Sequence, residues 1–257
     1  MASKWMIGLV CGAAISTAAP AQDTENATAE TLDPTPTGFF QGWTGSAEAG
    51  LSGASGNTER FNFRTGLNLS RETEEMVTTF GAVYSYANDD GSETENRARF
   101  NARNDWLLPD SPWRIFAQAG VEYDEFQDWD LRYTVFAGGG YEFIDNDTTT
   151  LLGRIGVGGS YEQGGQNEEF TPEGLLGLDL AHQLTERSKI TATAEYYPSF
   201  DDLTEFRAIA RASYEVLVDP EMNLTLKLGA ENRYDSDPGA GFKRNDLDYF
   251  ATLVWAF

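Results

Sequence analysis

The stretch NDLDYFATLVWAF, residues 245–257, indicates the fold class of this chain. Asp246, Asp248 and Thr252 share one parity. The other parity carries an apolar series: Leu247, Tyr249, Ala251, Leu253, Trp255 and Phe257. A repeat of two residues is that of a β-strand, whose successive side chains point to opposite faces. The stretch therefore predicts an amphipathic strand with one polar and one apolar face.

Further segments of similar length show the same alternation, and turn-forming residues such as Gly, Pro, Asn and Asp separate them. Their length suits a membrane-crossing strand, which needs ~9–11 residues. An even number of strands returns both chain ends to one side, as in single-chain bacterial barrels. The predicted strands cover residues 41–52, 59–70, 76–87, 95–106, 113–124, 130–143, 149–162, 170–182, 189–198, 204–216, 223–234 and 245–257. We therefore predict an all-β fold, a transmembrane antiparallel up-and-down β-barrel of about twelve strands.

The placement of aromatic residues favours a membrane barrel over a soluble sandwich, whose strands also alternate. In residues 113–123 the apolar face begins at Trp113 and ends at Tyr123, with smaller side chains between them. Aromatic residues at strand ends with an aliphatic band between them are typical of a strand in a bilayer. A strand that closes on an aromatic residue also resembles the signal read by the bacterial barrel-assembly machinery. We assign that signal to Tyr249, Leu253, Trp255 and Phe257.

Charged side chains on the strands fall on the face opposite to the apolar one. A basic residue that faced lipid at mid-depth would cost ~2–4 kcal/mol, so these charges should point into the lumen. The predicted lumen-lining residues are Arg64, Arg97, Arg99, Arg103, Glu122, Arg132, Arg154, Glu195, Arg207, Arg211, Lys227, Glu231 and Arg233. The same face holds Glu48, Asp105, Arg114, Glu142, Asp179, Lys189 and Glu205. Two interpretations stay open: a packed ion-pair network that fills the barrel, because buried charges need partners, or a charged path for small solutes.

Two segments precede the barrel. Lys4, the apolar stretch 5–15 and the Ala19-Pro20-Ala21 site form the pattern of a secretory signal peptide over residues 1–21. Cys11 is the one cysteine and lies inside it, so the mature chain should have no thiol chemistry. Residues 22–38 are acidic and rich in Pro and Thr, which predicts a disordered lead-in. The barrel is assigned to residues 39–257, and its expected location is the cell outer membrane.

The formal net charge of −23 excludes nucleic acid as an expected partner, because phosphate contact needs a basic face. Since the strands direct most cations inward, the negative excess should lie in loops, turns and the lead-in. Two acidic clusters lie at the predicted outer loops and are interpreted as solvated loops, and neither has the EF-hand spacing: Asp89, Asp90, Glu93 and Glu95, and Asp124, Glu125, Asp128 and Asp130. Weak cation binding beside divalent-bridged lipopolysaccharide stays the alternative. We predict no metal and no cofactor. The expected partners are outer-membrane lipid, lipopolysaccharide and the barrel-assembly machinery, and a monomer is favoured.

Three other features of the sequence are candidates for a site. His182 is the one histidine, on the outward face near the end of a strand, and no serine stands at a spacing that marks a nucleophile beside it. The run Gly138-Gly139-Gly140 lacks the helix and the Lys-Ser/Thr pair of a phosphate loop, so it is interpreted as a place of close packing or bending of the strand. Trp43 and Trp129 are interpreted as interfacial anchors. No catalytic residue is predicted, and the chain is not expected to be an enzyme.

Several short motifs resemble the YdiY-like salt-induced outer-membrane proteins, which are largely a domain of unknown function. These motifs are WTGSAEAGL at 43–51, SGNT at 55–58, NRARF at 96–100, DWDLRY at 128–133, AGGGY at 137–141 and the aromatic Phe257. The resemblance covers residues 43–257. It implies an outer-membrane barrel, and it supplies no activity because the family has no agreed catalytic or ligand residues.

Three functional hypotheses follow. The first is passive passage of small solutes or ions, because twelve strands lie between a side-chain-filled barrel of eight and an open barrel of sixteen. The second is structural, a barrel with a plugged lumen that serves envelope integrity or adaptation to osmotic stress. The third, an envelope enzyme, has the least support in the sequence.

Overall fold

Twelve β-strands form the whole of the described fold. The computed structural model describes residues 42–54, 60–164, 168–239 and 241–257, so the predicted signal peptide and lead-in lie outside the described residues. Within these residues no helix is long and apolar enough to cross a membrane. The strands are β1 (Trp43–Ala54), β2 (Arg60–Glu72), β3 (Met76–Asp89), β4 (Ser92–Leu107), β5 (Trp113–Asp124), β6 (Leu131–Asp145), β7 (Thr149–Gln163), β8 (Phe170–Thr185), β9 (Ser188–Pro198), β10 (Phe206–Asp219), β11 (Leu224–Asp235) and β12 (Asn245–Ala256).

The strands close into one antiparallel barrel. Each strand pairs with the strands before and after it in the chain, and β12 pairs with β1. This arrangement confirms the predicted up-and-down barrel of twelve strands. β1 begins and β12 ends at the same end of the barrel, which we call the terminal end. The opposite end, where β1 leads into β2, is called the loop end.

The predicted strand bounds lie within three residues of the observed ones. The connection between β3 and β4 was predicted as a loop over 88–94, but the strands continue to a two-residue turn. Asp90 and Gly91 both have positive φ, 51° and 82°. A turn of this kind matches the twist of a hairpin, and the Asp-Gly sequence favours it. The N–H of Gly91 also donates to Asn88 Oδ1 at 3.1 Å.

Side chains alternate between an apolar outer surface and a polar lumen. In β7, for example, Ile155 and Val157 are exposed on the outside, whereas Leu152 and Arg154 are buried inside. Large exposed apolar side chains recur around the whole barrel. A continuous apolar belt of this kind is unusual for a water-soluble protein and is what a spanning barrel requires.

One wall of the lumen carries an apolar cluster that the sequence analysis missed. Phe116, Phe136, Leu175 and Tyr197 are buried together inside the barrel, and Ile209 packs against them. The parity of these residues is that of the charged positions on the same strands. The lumen is therefore partly filled by an apolar core.

Glycines on β7 make room for two of these rings. A Cβ at Gly156 would lie 2.9 Å from the ring of Phe116, and a Cβ at Gly158 would lie 2.7 Å from the ring of Phe136. Each ring thus lies over backbone that has no side chain, which is a common reason for glycine inside a strand.

The predicted close packing at the glycine run in β6 holds for Gly138, whose added Cβ would collide with the carbonyl oxygen of Ile155. It does not hold for Gly139. A Cβ added there would point outward, and its nearest neighbour, the carbonyl oxygen of Arg114, would be 3.9 Å away. The two adjacent glycines therefore differ in whether a side chain could be accommodated.

Candidate functional site: the barrel lumen

The thirteen side chains predicted to line the lumen are all members of ion pairs in the structure. They point inward from eight strands, and the partner is often on a distant strand. These residues are Arg64, Arg97, Arg99, Arg103, Glu122, Arg132, Arg154, Glu195, Arg207, Arg211, Lys227, Glu231 and Arg233. Glu205 was also placed on this face, but it lies in the connection ahead of β10.

A chain of alternating acids and bases runs through the middle of the lumen, and Glu231 is its centre. Both Glu231 carboxylate oxygens accept from Arg99, at 2.7 and 2.9 Å. Oε2 also accepts from Arg211 Nε at 2.8 Å. Arg211 continues the chain to Glu195 at 3.3 Å, and Glu195 accepts from Arg154 at 3.0 Å. We call these residues and their continuation through Asp179 the central network.

The central network continues to the other side of the lumen through Asp179. One Asp179 oxygen accepts from Arg154 Nε at 2.9 Å and from Arg103 Nη1 at 3.1 Å. Arg103 Nε in turn donates to Asp105 at 2.8 Å. The side chains of Arg154 and Asp105 are 2% and 0% exposed. Charges buried this deeply are tolerated because each has opposite charges in direct contact, which offsets the cost of desolvation.

Two pairs join strands on opposite sides of the barrel. Arg99 on β4 reaches Glu231 on β11, five strands away around the ring. Arg233 on β11 reaches Glu122 on β5, six strands away, at 3.1 Å. Since these side chains touch at hydrogen-bond distance, they cross the lumen at their level.

A second group of charges lies on the wall formed by β1, β2 and β11. Glu48 is buried and accepts from Lys227 Nζ at 3.0 Å, and Arg64 Nε lies 3.8 Å from it. The Arg64 guanidinium stacks over the ring of Phe250 at 4.2 Å. Both cations therefore have an anionic partner and share one aromatic face, since Lys227 Nζ lies 5.8 Å from the same ring.

The connection between β5 and β6 covers part of the loop end. Trp129 was predicted to be an interfacial anchor, but it is 3% exposed and its ring lies 4.4 Å from the Arg132 guanidinium. Gln127 Nε2 donates to Asp246 Oδ2 at 3.2 Å, which ties this connection to β12. Burial raises the pKa of the Asp128 carboxyl above its ordinary value. The tryptophan turns inward because it can stack on a lumen cation there.

A cavity of about 420 Å³ remains around the central network. Its lining reaches from Ser46 and Thr79 near the terminal end to Thr134 and Glu122 near the loop end. Charged and hydroxyl side chains line it together with apolar ones, so water and small ions would find polar partners there. Arg99, Arg211 and Glu231 of the central network form part of this lining.

Other candidate groups show little organisation for chemistry. His182 Nδ1 lies 2.8 Å from Thr149 Oγ1 on the neighbouring strand, at the terminal end. In the predicted acidic loops, Asp89 pairs with Arg60 at 3.0 Å and Asp124 pairs with Arg233 at 3.2 Å. Within the described parts of the chain no group of three or more His, Cys, Asp or Glu side chains is placed to hold a metal ion.

The residues predicted to form the assembly signal all face outward from β12 or the residue after it. Each of them has about half or more of its surface exposed: Tyr249, Leu253, Trp255 and Phe257. Phe257 closes the barrel by exchanging two hydrogen bonds of 2.9 Å with the backbone of Gly45. The rings of Trp255 and Phe257 lie 5.3 Å apart on the outer surface of the terminal end.

Residues 47–257 match the family model described as "Protein of unknown function, DUF481". The chain belongs to this family. The match spans the barrel from the middle of β1 to the last residue, as the resemblance found in the sequence implied. No curated protein matches the chain.

Three solved structures illustrate the similarity of fold. The translocator domain of the autotransporter NalP from Neisseria meningitidis has 14% identity and a TM-score of 0.47, over 88% of this chain and 91% of that one. The KdgM porin has 10% identity and a TM-score of 0.45, over 84% and 99%. The NanC porin has 11% identity and a TM-score of 0.46, over 82% and 98%.

Proposed function

We propose that this protein is a structural barrel of the bacterial outer membrane whose lumen is closed to dissolved molecules by the central network. The apolar belt supports a location in a bilayer, because no water-soluble barrel needs one. The ion pairs that cross the lumen support a closed barrel rather than a general pore. In this role the protein contributes to the integrity of the envelope.

One observation carries the proposal. The two-bond pair between Arg99 and Glu231 crosses the lumen between strands that are far apart in the ring. Two parallel N–H···O bonds between a guanidinium and a carboxylate fix both position and orientation. A solute would have to break this pair and leave charges without partners, which is costly in a buried site.

Passage of small ions is the second candidate function, and the cavity favours it. The space of about 420 Å³ surrounds the central network and is lined in part by its charged side chains. A rearrangement of Arg211, the most exposed cation of the central network, would widen this space. In this case the barrel would conduct ions at a low rate and still exclude sugars and amino acids.

Swelling of proteoliposomes in solutions of small sugars tests the proposal. We expect vesicles with the wild-type barrel to swell no faster than empty vesicles. Glu231→Ala should give measurable swelling, because it removes the acid that holds Arg99 and Arg211 in the lumen. Arg60→Ala, which removes an exposed pair at the loop end, is the matched control and should behave as the wild type. Rapid swelling with the wild type would contradict the proposal.

The expected partners follow from the proposed location in the outer membrane. Lipid would surround the apolar belt, and lipopolysaccharide would contact the part of the barrel that lies in the outer leaflet. The barrel-assembly machinery would insert the chain by recognising the outward aromatic side chains of its closing strand. The signal peptide over residues 1–21 and the acidic lead-in over 22–38 stay predictions, and the mass of the mature protein tests the cleavage after Ala21.

A further inference from the structure

One row of uncharged residues crosses the lumen wall over eight adjacent strands. Each residue of the row is the cross-strand partner of the next, and all of them have the inward parity. On β4, for example, Asn101 belongs to the row, and the charged Arg99 and Arg103 stand on either side of it along the strand. The row, which we call the neutral row, consists of Ser46, Asn68, Gly81, Asn101, Gly120, Thr134, Ser160 and Thr171.

Two glycines in the neutral row leave room for the polar side chains beside them. A Cβ at Gly81 would lie 2.8 Å from Asn101 Oδ1, and a Cβ at Gly120 would lie 2.7 Å from Thr134 Oγ1. Asn101 and Thr134 therefore lean along the wall over backbone that has no side chain, which is a common reason for glycine inside a strand. Since neighbouring strands are ~4.8 Å apart, the Cα atoms of Asn68 and Asn101 are about 10 Å apart, with only Gly81 between them.

The polar side chains of the neutral row have hydrogen-bonding capacity that the barrel does not use. Among the residues that the structure describes, the side chains of Asn68, Asn101 and Thr134 form no hydrogen bond with another residue. Ser46 is 2% exposed, and its Oγ also has no hydrogen-bond partner among these residues. Polar side chains inside a protein are normally paired, and each specific exception needs a physical reason. A ligand that supplies the missing partners is one such reason.

The neutral row faces the lumen cavity. Its first six residues, from Ser46 to Thr134, are all part of the lining of the space of about 420 Å³. Asn101 is exposed to this space, although it lies in the middle of β4. Sites for small molecules have volumes of ~300–1,000 Å³. The unpaired polar groups therefore border a space that is large enough for a small solute.

The chemistry of the neutral row favours an uncharged solute with several hydroxyl groups. Carboxamides and hydroxyls offer both donors and acceptors, as the hydroxyls of a sugar do. The charged side chains that line the cavity are already members of ion pairs with one another or with further lumen residues. A charged solute would therefore leave bulk water without gaining an unpaired counterion, which is unfavourable in a buried site.

We propose that the neutral row from Ser46 to Thr134 is a binding site for a small neutral polyhydroxylated solute, a sugar alcohol or a monosaccharide. Asn68 and Asn101 would bind hydroxyls of the solute on either side of Gly81, and Thr134 would bind a further hydroxyl. The cavity is present while the ion pairs of the central network are intact, so binding does not require passage through the barrel. The inference therefore does not depend on whether the lumen conducts.

Saturation-transfer NMR with sorbitol is a direct test, with the full-length barrel in a detergent that has no sugar headgroup. We expect saturable binding with a dissociation constant of about 1 mM. Gluconate and glucamine have the same six-carbon chain as sorbitol but carry a carboxylate and a protonated amine. Both should bind at least tenfold more weakly, because neither finds an unpaired counterion in the cavity. Equal binding of the three solutes would overturn the proposal of a neutral site.

Two substitutions in the neutral row locate the binding. Asn101→Leu removes a carboxamide and keeps the size of the side chain, so it should weaken sorbitol binding about tenfold. Thr134→Val removes one hydroxyl and should weaken it by a smaller factor of about three. Since neither side chain is hydrogen-bonded within the described residues, both variants should fold. Asn104→Leu is the matched control: it makes the same change on the same strand, but Asn104 lies on the outer surface, bonded to Thr78, so binding should stay as in the wild type.

Two further outcomes would contradict the inference. If the wild-type barrel shows no saturable binding of sorbitol, the neutral row holds water only. If Asn101→Leu and Thr134→Val both bind sorbitol as tightly as the wild type, the solute is held elsewhere on the barrel and the neutral row is not its site. Vesicle swelling reports passage and the NMR titration reports binding, so a failure of this inference can be told apart from a failure of the proposed function.

Discussion

Arg99 and Glu231 meet across the lumen through two parallel bonds, Nη1 to Oε1 at 2.7 Å and Nη2 to Oε2 at 2.9 Å. The Glu231 side chain is 2% exposed, so the pair is held away from bulk water. A pair of this geometry is strong only while both partners remain. We therefore expect the barrel to depend on this pair for stability and, under the proposed function, for closing its lumen.

Loss of one partner should destabilise the barrel. We expect Arg99→Ala to lower the free energy of unfolding by about 3–5 kcal/mol, because Glu231 stays buried and loses one of its three cationic partners, the one that bonds both of its oxygens. Unfolding in urea, followed by the change in electrophoretic mobility of the folded barrel, measures this. Arg60→Ala removes the exposed pair with Asp89 and should cost no more than about 1 kcal/mol. Equal costs for the two variants would contradict the role assigned to the central network.

The apolar cluster inside the lumen should contribute as a core does. Phe116 is fully buried, so Phe116→Ala should cost about 3–5 kcal/mol of unfolding free energy by removing contacts and leaving a cavity. Phe116→Leu should cost less, because it keeps most of the apolar volume. The same urea titration measures both. A small effect of Phe116→Ala would mean that the lumen is hydrated on this wall.

Two adjacent glycines should respond differently to the same change. Gly138→Ala places a methyl group against the carbonyl of Ile155, so we expect impaired folding or a loss of at least about 1–3 kcal/mol. Gly139→Ala meets no close neighbour and should be neutral or stabilise by up to about 1 kcal/mol, because it restricts the unfolded chain. Yield of folded barrel and urea unfolding compare them. The reverse order would show that the register of β6 against β7 is wrong.

The connection between β9 and β10 should become less ordered in acid. The backbone N–H and the hydroxyl of Thr204 donate to Asp202 at 2.8 and 2.7 Å, which holds the pKa of that carboxyl below its ordinary value. A lowered pKa means that the charged form favours the folded loop. The stabilisation is present above the unfolded pKa of ~3.9 and is lost as the pH falls through the folded value. The carboxyl resonance of Asp202, followed by NMR, should have its titration midpoint below pH ~3.9, and Thr204→Val should raise that midpoint. An unchanged midpoint in the variant would contradict the assignment.

The strands and their faces were predictable because they follow from local alternation. Arg99 and Arg103 on β4 have the parity that keeps them from lipid, and the structure places both in the lumen. The two-residue turn at Asp90 and Gly91 was missed, although the Asp-Gly sequence carries its signal. The inward position of Phe116 could also have been predicted, since it has the same parity as the lumen-facing Arg114 and Gln118. It was missed because only charged residues were assigned to the inward face.

Other features could not have been derived from the sequence. The partner of Arg99 depends on the shear of the closed barrel, which sets the strands that face each other across the lumen. The short β1–β12 ladder, from Ser46↔Ala256 to Ala49↔Leu253, has the same origin, because the pairing of the first and last strands is set by all the strands between them. Trp129 turns inward because Arg132 offers a stacking partner, and the local sequence gives no sign of that choice.

The conductance of single barrels in a planar bilayer tests the closed lumen most directly. With purified wild-type protein we expect no stepwise current from low to high salt, and discrete steps should appear with Glu231→Ala. Regular conductance steps with the wild-type barrel, unchanged by Glu231→Ala, would contradict the account.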